Sequence, residues 1–143
     1  MIYTELTKKA MRISLQAHEG QTDRSGMPYF LHPFHVADHV ESEEETCVAL
    51  LHDVVEDTDV TLEDLRRAGM PDTVLAAVDL LTHHRSTPYL EYIRKLSVNQ
   101  LAKTVKLRDL EHNLDLGRID HITPEDLRRT EKYKKAQDYL LNH

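Results

Sequence analysis

Val48-Ala49-Leu50-Leu51-His52-Asp53-Val54-Val55-Glu56-Asp57 is the stretch on which the fold of this chain turns. Its first four residues are apolar, and its second half carries one imidazole and three carboxylates. Residues four apart in a helix lie one above the other. A helix here sets Glu56 one turn beyond His52 and Asp57 one turn beyond Asp53. So apolar a beginning implies a helix buried over much of its surface. Three carboxylates near a core are costly unless a cation compensates them, so the pattern points to a bound divalent metal. The bland alternative is an amphipathic helix whose acids face water.

The helical period continues outward from this stretch. Leu6, Ala10, Ile13 and Ala17 recur every three or four residues and Gly20 follows as a stop. After a polar loop from Gly20 to Pro28, the next helix is expected to begin with His32 as cap and Pro33 at its first position. A third runs from Glu43 to about Glu56, with Val48, Leu51, Val54 and Val55 inward. Thr61-Leu62-Glu63-Asp64 reads as a capping box for a short helix closed by Gly69. Met70-Pro71-Asp72, Thr87-Pro88, Asn99 and Thr123-Pro124 open four more. Only four glycines and five prolines punctuate the chain, and no long alternating Val/Ile/Thr run indicates a sheet. The expectation is an all-α fold, one compact domain over residues 1–143 with about eight helices.

The 143 residues are about one domain's worth, 40% hydrophobic and 30% charged, as in a folded, soluble protein. A net charge of -7 argues against a nucleic-acid partner. A phosphorylated small molecule remains compatible, given a metal and a few cations in the pocket. No stretch approaches the roughly 20 apolar residues of a membrane helix, and Met1-Ile2-Tyr3-Thr4-Glu5 lacks the features of a signal peptide, so no membrane partner and a cytoplasmic location are expected. Cys47, the lone cysteine, reads as a plain buried thiol. Arg128, Arg129, Lys132, Lys134 and Lys135 on the last helix read as a solvated face. None of these patterns encodes an oligomeric state.

A metal beside His52 and Asp53 needs ligands from other segments. His32 follows the apolar pair Phe30-Leu31, and Asp109 lies among Val105, Leu107 and Leu110. Two imidazoles and two carboxylates suit a six-coordinate first-row ion, Mn²⁺ first, with Fe²⁺, Co²⁺ or Zn²⁺ as alternatives. A closed structural zinc site is usually richer in cysteine. His32, His35 and His39 are spaced three and four apart, and spacing alone does not choose among them. His18, His112, His121 and His143 have no constellation around them, and His83-His84-Arg85 reads as a solvated loop.

The ordered set Ala17-His18-Glu19-Gly20-Gln21, Gly26-Met27-Pro28-Tyr29-Phe30-Leu31-His32-Pro33, Leu50 to Thr58, Val105-Lys106-Leu107-Arg108-Asp109 and Asn113-Leu114 resembles the HD-domain phosphohydrolases. Within that superfamily it is similar to the hydrolase domain of RelA/SpoT-type alarmone enzymes. The resemblance covers roughly residues 5 to 118. It implies an HD-domain helical bundle, a metal (Mn²⁺) held by His32, His52, Asp53 and Asp109, and a water positioned or activated by Glu56 and Asp57. It also implies a nucleotide substrate, (p)ppGpp, whose 3′-pyrophosphate is removed hydrolytically, with Arg24, Ser25 and Asn113 as substrate contacts. Asp23 stands where alarmone hydrolases carry an arginine that meets the base, and Leu116 where relatives often have threonine. Those departures motivate a second reading, a phosphatase or phosphodiesterase of the superfamily acting on another nucleotide. A third reading is a non-enzymatic module that keeps the pocket. Too few residues follow Gly117 for a synthetase or regulatory domain, so a chain of this kind is expected only to degrade.

Overall fold

The periodicity along the chain becomes nine α-helices: α1 (Glu5–Ala17), α2 (Leu31–Asp38), α3 (Glu43–Leu51), α4 (Val54–Asp57), α5 (Leu62–Arg67), α6 (Asp72–Leu81), α7 (Tyr89–Leu96), α8 (Gln100–Asn113) and α9 (Pro124–Asn142). The computed structural model describes residues 1–143. Its only β-type pairing is an isolated bridge between Thr22 and Pro28 in the loop after α1.

Capping chemistry sets most helix starts. Thr4, Ser42, Thr61 and Thr123 each accept the amide three residues on while that residue's side chain reaches back. Pro124 then occupies the first turn of α9, where an amide N–H has no helical partner in any case. Gly69 ends α5 with φ at +98°, a conformation that costs glycine little.

Helix α3 is the axis of the molecule. Every residue from Thr46 to Leu51 is buried, and α1, α2, α6 and α8 pack around it. A helix apolar on all sides has to be enclosed, and Thr46 fits such a place because its hydroxyl donates to the Ser42 carbonyl at 2.8 Å. Leu50, Leu51, Val48, Ile93, Leu96 and Leu110 are among the fully buried side chains that fill the space between these helices. Helix α9 lies across α7 and α8 and closes the bundle. No helix is long and apolar enough to cross a membrane.

Two boundaries differ from expectation. The helix expected over Glu43 to Glu56 stops at Leu51, turns at His52-Asp53 and resumes as the single turn α4. The His52 ring explains the break: its Nδ1 donates to the Ala49 carbonyl at 2.6 Å, drawing that acceptor out of the helical ladder. Asp53 then sits at φ -104°, ψ -5°. His32 is not the cap of α2 but its second residue, with Phe30 as cap and Pro33 still in the tolerant first turn.

Cys47 is fully buried on α3. Burial, with Glu43 and Glu44 adding to it, pushes its thiol pKa from 9.0 up to about 12. The thiolate is the reactive form, so a disulfide reagent at pH 8 should leave the native chain unlabelled and titrate one thiol after unfolding. Above about pH 9 only the unfolded chain gains by ionising this thiol, so its contribution to stability declines as pH climbs toward 12.

Candidate metal centre

Two helices and one turn converge on a single point. His32 comes from the first turn of α2, His52 and Asp53 from the turn between α3 and α4, and Asp109 from the buried face of α8. His32 Nε2 stands 2.8 Å from Asp109 Oδ1, and His52 Nε2 stands 3.1 Å from Asp53 Oδ2 and 3.5 Å from Asp109 Oδ1. Asp53 Oδ2 is 3.9 Å from His32 Nε2. The ligand atoms of His32, His52 and Asp109 all lie within 4.8 Å of one another, and these three residues are buried. His35 and His39 are not part of this group. They stack on each other farther along α2, with ring centroids 4.1 Å apart.

The donor set fits a divalent cation. His52 Nε2 is buried and makes no hydrogen bond, although two carboxylates lie within 3.5 Å; the nitrogen is close to them but not aimed as a hydrogen-bond donor. Two imidazoles and two carboxylates facing one volume, with one nearby ammonium to offset the acids, favour a cation in that volume. His52 and Asp53 respond to each other strongly. Burial disfavours the His52 imidazolium, but Asp53 and Asp109 more than offset that and hold the ring's pKa well above its ordinary value. Burial likewise opposes the Asp53 carboxylate, and His52 more than offsets it, holding the acid below the usual range.

Each of these side chains is held from behind. Tyr29 Oη donates to Asp53 Oδ2 at 2.5 Å. Lys106 Nζ donates to Asp109 Oδ2 at 2.8 Å, and Asn113 Nδ2 to Asp109 Oδ1 at 3.0 Å. Burial opposes the charge on Asp109 and on Lys106, but the pairing dominates, depressing the acid and raising the base. His32 Nδ1 meets His112 Nδ1 at 2.8 Å, and His112 in turn stacks on His35 with centroids 3.7 Å apart. Burial and the Arg118 guanidinium push the His112 pKa down to about 3, so this ring is neutral and can accept the His32 Nδ1–H. His32 Nε2 is thereby left as the nitrogen available to a metal. His112 thus has a constellation that the sequence reading does not give it; the available signal is its place three residues past Asp109, next to Asn113.

Glu56 and Asp57 reach the same place from α4. With Lys106, His83, Lys132 and Tyr89 they line an inner cavity of about 240 Å³ that also contains Asp53 and Asp109. Glu56 Oε1 accepts the His83 backbone N–H at 2.6 Å, which anchors the loop between α6 and α7. His83 is therefore half-buried wall rather than solvated loop, whereas His84 and Arg85 are exposed. Burial, then the charges of Asp53 and Glu56, push the Asp57 pKa up to about 6.

Arg24, Ser25 and Asn113 line an adjoining outer cavity of about 330 Å³, which shares Tyr29, His32, Asn113 and Tyr133 with the inner one. Arg24 pairs with Asp126, which also binds Arg129 at 2.7 Å, and Ser25 Oγ donates to the Arg118 carbonyl at 2.9 Å. Asp23 shapes this wall from within, because its Oδ1 accepts the amides of Ser25 and Met27 and folds the loop over Gly26. Of the basic residues of α9, Arg128, Lys132, Lys134 and Lys135 are exposed, as a solvated face requires, and Arg129 is half-buried. Arg129 also lines the outer cavity, and Lys132 the mouth of the inner one.

Residues 10–113 match the family model described as HD domain. A GTP pyrophosphokinase of Streptomyces coelicolor is 34% identical over 147 residues, covering 93% of this chain and 16% of that protein. The guanosine-3′,5′-bis(diphosphate) 3′-pyrophosphohydrolase of Vibrio cholerae is 32% identical over 137 residues, covering 87% and 19%. SpoT of Escherichia coli, a bifunctional (p)ppGpp synthase/hydrolase, is 32% identical over 121 residues, covering 75% and 17%. The chain thus spans less than a fifth of the length of these curated relatives. A solved structure of a metazoan SpoT ortholog described as hydrolysing ppGpp superimposes with a TM-score of 0.77 at 27% identity, over 98% of this chain and 88% of that one.

Proposed function

The chain belongs to the HD-domain family, and from that premise we propose that it is a Mn²⁺-dependent 3′-pyrophosphohydrolase of (p)ppGpp, with His32, His52, Asp53 and Asp109 as the metal ligands. The observation that carries the proposal is the buried, unpartnered His52 Nε2 among two carboxylates and a second imidazole, opening into the cavity that holds Glu56 and Asp57. The similarity to pyrophosphohydrolases of guanosine bis(diphosphate), and to a metazoan ppGpp hydrolase, supports the substrate.

A divalent cation at these ligands supplies Lewis acidity, activating water and neutralising phosphoryl charge. The chain's own groups do the rest. Asp57, ionised above about pH 6 and less tightly bonded than Glu56, accepts a proton from the attacking water. Glu56 is held by the His83 amide and fixes the wall beside it. The water oxygen bonds to the phosphorus next to the ribose, the bond to the 3′-oxygen breaks, and that oxygen takes up a proton as pyrophosphate leaves. Arg24, Ser25 and Asn113 stand where the nucleoside portion extends into the outer cavity.

Asp23 and Leu116 keep a second substrate in contention, another nucleotide cleaved by the same centre. A nucleotide panel separates the two. The purified chain with Mn²⁺ should release pyrophosphate from ppGpp, and chelation should stop it. Cleavage of a mononucleotide with ppGpp left intact would transfer the assignment to the second reading.

A further inference from the structure

Two donors in the inner cavity have no acceptor in the protein. Tyr89, the first residue of α7, has a buried hydroxyl without a hydrogen-bond partner. A buried hydroxyl left unpaired is costly, and such groups in a native fold call for an explanation. Burial also pushes the Tyr89 pKa up to about 12, so the hydroxyl keeps its proton and remains a donor. Lys132, on α9, stands over the Tyr89 ring at 4.5 Å and near the Tyr133 ring at 5.6 Å. It has no carboxylate within ion-pair distance, unlike Lys106, whose charge is committed to Asp109. The ammonium of this exposed lysine, uncommitted to any acid, thus lies over the ring that carries the uncommitted hydroxyl. Both line the cavity that contains Glu56, Asp57, Asp53 and Asp109.

We propose that Tyr89 and Lys132 form an oxyanion-binding pair in the inner cavity, receiving phosphoryl oxygens of the group that departs as pyrophosphate. The substrate class it takes is a diphosphorylated one, since the acid-rich wall of the cavity repels an anion unless ammonium and hydroxyl donors meet it on another side. The pair is drawn from two helices, α7 and α9, that contribute no residue to the metal centre. It rests on the reading of the cavity as a phosphohydrolase site, but its test does not depend on turnover.

Binding of inorganic pyrophosphate to the Mn²⁺-loaded chain, measured by calorimetry, reads the pair directly. Tyr89→Phe and Lys132→Met should each weaken that binding about tenfold, the scale of one hydrogen bond to a charged group. Lys132→Arg should restore most of it, and Lys135→Met, on the same helix but outside the cavity, should leave it unchanged. Thermal unfolding checks the fold, which Tyr89→Phe should not weaken because the hydroxyl it removes makes no bond. The pair is overturned if both variants bind pyrophosphate like the parent, if Lys135→Met weakens binding as much as Lys132→Met, or if the parent binds none. If the parent cleaves no ppGpp while the two variants still lose pyrophosphate, the pair stands and the substrate assignment falls.

Discussion

Replacing Asp109 with asparagine should abolish Mn²⁺ binding and pyrophosphate release together, while the chain remains folded. Asp109 is the point at which the metal centre's supports meet. Oδ1 faces His32 and His52 and accepts from Asn113, and Oδ2 is held by Lys106. Asparagine keeps the shape but removes the charge, and leaves an amide where a ligand oxygen and an ion-pair partner stood. Outer partners of a metal site typically cost about 10–100-fold in affinity or activity when removed, so loss of a proposed ligand should exceed that range. Titration calorimetry and a pyrophosphate assay check the two losses. Both substitutions, this one and Asp109→Ala, leave Lys106 without its counter-charge. Asp109→Ala should behave alike in activity but lose more stability, because it also removes the oxygen that can still accept a hydrogen bond from Lys106 or Asn113 and leaves a cavity.

Lys106→Met should produce the second-largest effect, and mainly in stability. The Lys106–Asp109 pair is largely buried, with side-chain exposures of 12% and 6%. Breaking a buried pair by removing one partner costs about 3–5 kcal/mol, because the remaining charge is left uncompensated. Urea unfolding of the metal-free chain should show a loss of that order. Saturating Mn²⁺ should recover part of it, since a bound cation supplies the missing charge and binds only the folded state. A midpoint unchanged from the parent would show that Lys106 does not stabilise Asp109.

Helix α3 and its caps are legible in the sequence because apolar spacing and capping residues act locally. Ser42 with Glu45, and Thr61 with Asp64, place their helix starts without reference to anything distant. The interruption at His52-Asp53 is not legible, because it depends on the His52 ring bonding the Ala49 carbonyl, a choice that only the folded site enforces. In the centre, the order of histidines and acids along the chain is readable, and the four proposed ligands do meet in one place. Spacing does not separate His32 from His35. The bundle does so by turning His35 onto the outer stack with His39 and His112. Lys106, one turn before Asp109 on α8, is a partner that helical spacing itself offers. The parts played by Tyr29 and Tyr89 are hidden because a tyrosine in such a sequence usually means a surface or a core. Those parts arise from contacts across 24 residues, for Tyr29 with Asp53, or between α7 and α9, for Tyr89 with Lys132. Asp23, which by resemblance stands in place of a base contact, proves to be the residue that folds its own loop.

If one divalent ion, held by His32, His52, Asp53 and Asp109, drives release of pyrophosphate from ppGpp, then adding Mn²⁺ stepwise to the metal-stripped chain while following pyrophosphate should show it. No release is expected without metal, followed by activity rising to a plateau at one tightly bound ion per chain. Asp109→Asn should release none at any Mn²⁺ concentration. Pyrophosphate release by the stripped chain, or full activity of the Asp109→Asn variant, would contradict this assignment.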